Sequence, residues 1–222
     1  MLIIGHRGAA GLAPENSLEA LRAGIDAGAD ILEFDVRLTK DTVPVLAHNP
    51  MISGQWVSRH TLAELRRKAP VTTLQEVLDE FFGKILLNIE LKQVGSATSV
   101  YDMISLYVTK EEEWDNILFS SFKPRALKAL RGRSDALNLA LLHHVNPYTF
   151  MRVHRQLHLS AVGFHRLHAS SLALTVAKEL GLFTYVYTVN RPEAALRFNK
   201  KDVGGIVTNV PDVIAAVFQA EA

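Results

Sequence analysis

The stretch ILEFDVRLTK, residues 31–40, reads as a buried strand, yet it carries two acids, Glu33 and Asp35, two residues apart. In an extended chain, side chains at i and i+2 point to the same face, about 6.6 Å apart. Two carboxylates on one face of a buried strand repel each other, and burying either charge is costly. Such a strand requires compensation from elsewhere in the fold.

Outward from this strand, short β-branched apolar runs alternate with longer segments of helical period. The spacing predicts strands over 2–8, 31–39, 85–92, 116–122, 137–143, 161–166, 183–189 and 204–210. An extra strand, PVLAH (44–48), follows the second through a tight hairpin. Between the strands, Pro14 suits a first helical turn, Leu18, Leu21 and Ile25 share a face, and Gly28 fits the stop. TLAE (61–64) and TLQE (73–76) match the capping box, and Pro124, Pro147, Pro192 and Pro211 sit where helices are expected to start.

Strands alternating with helices predict an α/β chain with a parallel sheet, and near-continuous apolar strands agree because both faces of such a sheet are covered. Eight units close naturally into a (β/α)8 TIM barrel, here with a short hairpin strand after strand 2. The alternative, an open doubly wound sheet, usually carries GxGxxG after its first strand, and GHRGAAG does not fit it. No linker rich in Pro, Gly or Ser breaks the chain, so residues 1–222 are read as a single domain.

Composition narrows the function. With 24 basic and 23 acidic residues the net charge is +1, which gives no electrostatic reason to expect nucleic acid or a lipid surface as partner. There is no cysteine, so disulfides and thiolate metal sites are excluded. The opening MLIIGHRG lacks a basic n-region and a cleavage site, and no apolar run approaches the ~20 residues that span a bilayer. A cytoplasmic protein without stable membrane association is expected, and whether it forms a homo-oligomer is left open.

In a TIM barrel, chemistry gathers at the C-terminal ends of the strands. His6 and Arg7 end strand one, His48 ends the hairpin strand, Glu90 and Lys92 end strand three, and Ser120 and Phe122 end strand four. Glu33, Asp35 and Glu90 can converge on one hard divalent cation, Mg²⁺ or Ca²⁺, whose charge cancels their repulsion. Arg7 and Lys92 supply fixed positive charge suited to phosphate oxygens. His6 and His48 titrate near neutrality and can act as base and acid. Phe122 or Tyr187 can supply an apolar wall, and His143, His165 and His168 either line it or pack structurally. Together these groups describe phosphodiester cleavage of a small-molecule substrate.

The motifs GHRG (5–8), APENS (13–17), LEFDVRLTKD (32–41), VLAH (45–48), NIELK (88–92), SSF (120–122), YTVN (187–190) and GGIVTNVPD (204–212) resemble the glycerophosphodiester phosphodiesterases, in order and at family-like spacing. The resemblance implies a TIM barrel and metal-dependent hydrolysis of glycerophosphodiesters to sn-glycerol 3-phosphate and an alcohol. It implies His6 and His48 as the general acid/base pair and Glu33, Asp35 and Glu90 as metal ligands. Arg7 and Lys92 become phosphate contacts, with Glu15 and Asn16 as supporting substrate-site residues. It also implies attack by the substrate's own glycerol hydroxyl, giving a cyclic phosphate that water then opens.

The chain departs from the family's pattern in places. His48 is followed by Asn49 where Asp is common, Asn209 stands where Asp is frequent, Thr42 replaces the Gly of KDG, and Tyr187 replaces a usual Trp. The segment after His48 is short. None of these departures is expected to touch the metal ligands or the two histidines. Two other readings stand beside the main one: a lysophospholipase D that uses the same site, and a catalytically silent phosphodiester-binding barrel.

Overall fold

A computed structural model describes residues 1–143 and 149–220. Its strands are β1 (Leu2–Gly5), β2 (Ile31–Leu38), β3 (Pro44–Leu46), β4 (Met51–Ile52), β5 (Gln55–Trp56), β6 (Leu86–Leu91), β7 (Ile117–Ser121), β8 (Asn138–His143), β9 (Ala161–His165), β10 (Phe183–Tyr187) and β11 (Gly205–Thr208). Its α-helices are α1 (Leu18–Asp26), α2 (Leu62–Arg66), α3 (Leu74–Phe81), α4 (Ser96–Ile104), α5 (Pro124–Arg131), α6 (Thr149–Leu157), α7 (Ser171–Glu179), α8 (Pro192–Asn199) and α9 (Pro211–Ala220).

Strands β1, β2, β6, β7, β8, β9, β10 and β11 pair in parallel in that order, and β11 returns to β1, so the sheet closes into the expected TIM barrel. β3 runs antiparallel to the far end of β2, from Val36↔Leu46 to Leu38↔Pro44, as the hairpin spacing predicts. Among the described residues, no helix is long and apolar enough to cross a membrane.

Two apolar layers hold this arrangement. One lies between barrel and helices and includes Phe34, Leu87, Phe119 and Val162. The other fills the barrel interior with Ile4, Ile31, Leu118, Ala140, Tyr185 and Val207. One i→i+2 step along a strand keeps the same face and moves one layer up. That step leads from Ile4 to His6, from Ile31 to Glu33 and from Leu118 to Ser120, so the interior turns polar one layer below the mouth.

Both capping boxes form. The Thr61 amide donates to Glu64 Oε2 at 2.7 Å, the Thr73 amide donates to Glu76 Oε2 at 2.8 Å, and each threonine oxygen accepts from its glutamate's amide. Pro124, Pro192 and Pro211 open α5, α8 and α9, where a missing N–H costs nothing. Pro147 lies outside the described residues. Gly28 adopts φ +83° beyond α1, as a helix stop requires.

Three expectations need correction. Strand one ends at Gly5 rather than residue 8, because Arg7 (φ 51°) and Gly8 (φ 87°) are left-handed and turn the chain. Pro14 precedes its helix instead of opening it: Asn16 is left-handed too (φ 57°), and α1 starts after Ser17, whose oxygen accepts from the Ala20 amide at 3.0 Å. Ile25 is 38% exposed, since α1 approaches the barrel through its small residues Ala20 and Gly24. The β4–β5 hairpin, turning through Ser53 and Gly54, was not anticipated.

Gly8 is the tightest point between α1 and the strand-one turn, for a Cβ there would meet the Ala20 carbonyl carbon at 2.4 Å. Gly83 has a similar φ of +72° with nothing within 4 Å of its Cβ position. Gly83→Ala is therefore expected to cost only the backbone strain, about 1 kcal/mol. Gly8→Ala is expected to lose about 2 kcal/mol or more in urea unfolding, because a backbone clash adds to that strain.

Candidate active site

At the C-terminal mouth of the barrel is a cavity of about 210 Å³. His6, Arg7, Glu33, His48, Glu90 and Lys92 line it, together with the aromatic rings of Phe122 and Tyr187. Asp35 sits behind them, 1% exposed. The β2–β6 register places Asp35 beside Glu90 and Glu33 beside Asn88, so sheet pairing itself brings the acids together. One oxygen from each of Glu33, Asp35 and Glu90 lies within 4.8 Å of the others. Two carboxylates at that separation repel by about 3 kcal/mol at an effective dielectric of about 20.

The three acids are compensated unequally. Asp35 forms ion pairs with Lys92 Nζ at 3.1 Å and Arg7 Nε at 3.3 Å, and it accepts a hydrogen bond from the Asn16 side-chain amide at 2.9 Å. Burial pushes its carboxyl up, but Lys92, Asn16 and Arg7 outweigh burial and hold it below the usual carboxylate range. Glu90 accepts from Lys92 Nζ at 2.6 Å, yet burial and then Asp35 push it up to about 7. Among the described residues Glu33 accepts only from the Arg7 backbone amide, at 2.9 Å; burial, Asp35 and Glu90 drive its pKa well above normal. With all three carboxylates ionised, one guanidinium and one ammonium would leave a net negative charge. That charge balance and the all-oxygen donor set fit a hard divalent cation, which would restore the ionised state of Glu33 and Glu90.

The turn after β1 shapes the rest. Arg7 in its left-handed conformation aims its amide at Glu33, while its Nη1 pairs with Glu15 at 2.6 Å. Asn16 binds Asp35 twice, because the Asp35 amide donates to Asn16 Oδ1 at 3.0 Å. Glu15 and Asn16 do not line the main cavity; with His48 they border a second one of about 220 Å³. Glu15 pairs with Arg7 and Asn16 with Asp35, so both stand beside the residues of the main cavity.

Both histidines carry an amide on Nδ1. His6 Nδ1 lies 2.5 Å from Asn209 Oδ1, and His48 Nδ1 lies 3.3 Å from Asn49 Oδ1. With an amide oxygen as acceptor, Nδ1 holds the proton and Nε2 is the basic nitrogen. Burial lowers the pKa of both rings, and the opposing pull of Asp35 does not reverse it, since among the described residues neither ring is hydrogen-bonded to a carboxylate. The expectation that the departures at 49 and 209 touch neither histidine is therefore wrong at both. Asn190 fixes the 208–210 turn by accepting from the Asn209 amide at 2.9 Å.

Phe122 and Tyr187 meet edge to face with centroids 5.9 Å apart, and Lys92 Nζ lies 5.9 Å over the Phe122 ring. The Tyr187 hydroxyl donates to the His143 carbonyl. His143 is buried against Phe150 and Phe164, and it packs structurally. His165 and His168 lie outside the main cavity's lining. Trp114 is buried and stacked on Tyr101, while Trp56 is exposed on the β4–β5 hairpin. The cavity also holds Asn88 and Tyr185, to which the sequence reading gave no role, and Ser120, which it placed at a strand end without one. The i, i+2 rule applied to Glu90 and Tyr187 would have found the first two.

The family described as glycerophosphoryl diester phosphodiesterase matches residues 6–213 of this chain. A glycerophosphodiester phosphodiesterase from Caldanaerobacter subterraneus subsp. tengcongensis is 28% identical, covering 96% of both chains. Among solved structures, the glycerophosphodiester phosphodiesterase from Thermotoga maritima superposes with TM-score 0.82 at 25% identity, covering 98% of each chain. An Oleispira antarctica phosphodiesterase, in complex with the product sn-glycerol-3-phosphate, reaches TM-score 0.89 at 21% identity over 99% of this chain and 97% of its own. With the barrel, the clustered acids and a family match spanning nearly its whole length, this chain belongs to the glycerophosphoryl diester phosphodiesterases, enzymes that hydrolyse glycerophosphodiesters.

Proposed function

We propose that this chain hydrolyses glycerophosphodiesters to sn-glycerol 3-phosphate and an alcohol, with one divalent cation and with His6 and His48 as the acid/base pair. The observation that carries this reading is the acid cluster, in which Glu33 and Glu90 lack the compensation given to Asp35. The product bound to the Oleispira antarctica relative supports the choice of substrate. Glu33, Asp35 and Glu90 would hold Mg²⁺ or Ca²⁺, which when bound polarises a phosphoryl oxygen and offsets charge in the transition state. Residues 1–222 act as one domain in this reading, because His6 near one end depends on Asn209 near the other.

The chain's own groups perform the remaining work. Arg7 donates Nη1 to Glu15 and forms an ion pair with Asp35 through Nε, an orientation in which Nη2 would meet a phosphate oxygen. The ammonium of Lys92, anchored by Asp35 and Glu90, has a third donor for the same group. One histidine takes the proton from the substrate's glycerol hydroxyl as its oxygen bonds to phosphorus. The other gives a proton to the departing alcohol as the original P–O bond breaks. The first step leaves a cyclic phosphate, and in the second the roles exchange: one imidazole takes a proton from water as its oxygen bonds to phosphorus, and the P–O bond made by the attacking glycerol oxygen breaks as the other imidazole protonates that oxygen. Neutral rings of lowered pKa suit the base role at physiological pH.

His6→Ala is expected to lower kcat by about 10²–10⁴ while leaving the circular dichroism spectrum unchanged; full turnover in that variant rules the scheme out. EDTA should abolish release of sn-glycerol 3-phosphate from glycerophosphoethanolamine, and Mg²⁺ or Ca²⁺ should restore it. The same ions should raise the apparent Tm of wild type but not of Glu33→Gln. Asn209→Asp places a carboxylate on His6, favours its imidazolium and raises its pKa. Whichever limb of the kcat/KM–pH profile His6 sets should then move to higher pH, by about one pH unit.

A further inference from the structure

Three buried polar side chains in the mouth cavity have no part in the scheme above: Asn88 on β6, Ser120 on β7 and Tyr185 on β10. Each is 1% exposed. Asn88 Oδ1, Ser120 Oγ and the Tyr185 hydroxyl find no hydrogen-bond partner among the described residues. The Asn88 amide lies near the Tyr185 oxygen, but the two do not meet at hydrogen-bonding geometry. A buried polar group left in this state costs about 1–3 kcal/mol, so three around one cavity call for a polar occupant.

Their placement is built into the barrel. Asn88 is the register neighbour of Glu33, and Ser120 is the register neighbour of Glu90, so both adjoin the acid cluster on the inward face. Tyr185 can lie across the interior because its neighbour on β9 is Gly163, where a Cβ would stand 2.6 Å from the Tyr185 ring and from Leu142. Burial raises the phenol's pKa far above normal, so it stays a hydrogen-bond donor. The set offers one acceptor and two hydroxyls that both donate and accept.

We infer that Asn88, Ser120 and Tyr185 form the wall that recognises the free hydroxyls of the glycerol moiety, and so select deacylated glycerophosphodiesters over lysophospholipids. The inference rests on the hydrolase reading of the same site. An acyl ester removes a hydroxyl proton and leaves an acceptor of the wall unpaired, which is the kind of mismatch that a polar site rejects most strongly.

The test compares three substrates by kcat/KM: glycerophosphoethanolamine, its propane-1,2-diol analogue, which keeps the attacking hydroxyl but lacks the terminal one, and lysophosphatidylethanolamine. Wild type should favour glycerophosphoethanolamine by about 10-fold over each, the scale of one or two hydrogen bonds. Tyr185→Phe and Ser120→Ala, each removing a single oxygen, should lose several-fold more activity on glycerophosphoethanolamine than on the analogue. Equal losses on both would mean that the wall organises the acids and does not read glycerol, and would overturn the inference. So would a wild type that treats the three substrates alike, although the hydrolase reading would then stand. If wild type cleaved none of them, the hydrolase reading would fail, and calorimetry would decide the wall separately. Tighter binding of sn-glycerol 3-phosphate than of propane-1,2-diol 1-phosphate, lost in Tyr185→Phe, would support it; equal binding would overturn it.

Discussion

The crowding of Glu33, Asp35 and Glu90 is the constraint around which this barrel mouth is arranged. Asp35 is the best satisfied, held by Lys92, Arg7 and Asn16, and it is the acid whose pKa stays below normal. Those partners are thereby fixed in turn. Lys92 is held between Asp35 and Glu90, and Arg7 between Asp35 and Glu15. The two cations beside the cavity are therefore preorganised by an acid that does not line it. Preorganised charge of this kind needs no rearrangement as charge develops during reaction, which is where electrostatic catalysis gains most.

Sheet geometry makes the crowding possible. Register pairing of β2 with β6 sets Asp35 beside Glu90, and the period of two puts Glu33 on the same inward face. Barrel closure brings β11 beside β1, so that Asn209 reaches His6 across 203 residues of sequence. The left-handed turn at Arg7 and Gly8 then presents a backbone amide to Glu33 while seating α1 against the strand end. The same residues thus link the helix layer, the barrel and the acid cluster.

Amides on both imidazoles give this site a particular balance. An amide oxygen accepts the Nδ1 proton as a carboxylate would, but it stabilises the imidazolium far less. Burial then sets the direction of the pKa shift at His6 and His48. Seen from the sequence, Asn49 and Asn209 were departures distant from the chemistry; in the fold each is the partner of a histidine.

Much was already determined by the sequence itself. Alternating apolar runs, two capping boxes and prolines at helix starts specified eight strand–helix units, because these signals act over a few residues and depend on local backbone chemistry. The i, i+2 acids marked the mouth for the same reason. Only tertiary structure decided that α1 begins at Leu18, since Asn16 is taken from the helix to hold Asp35. It alone decided that Ile25 faces solvent, that Asn209 meets His6, and that Asn88, Ser120 and Tyr185 share one cavity. Such contacts join strands far apart in the chain, and their positions follow from barrel closure, stagger and burial, which no local pattern encodes.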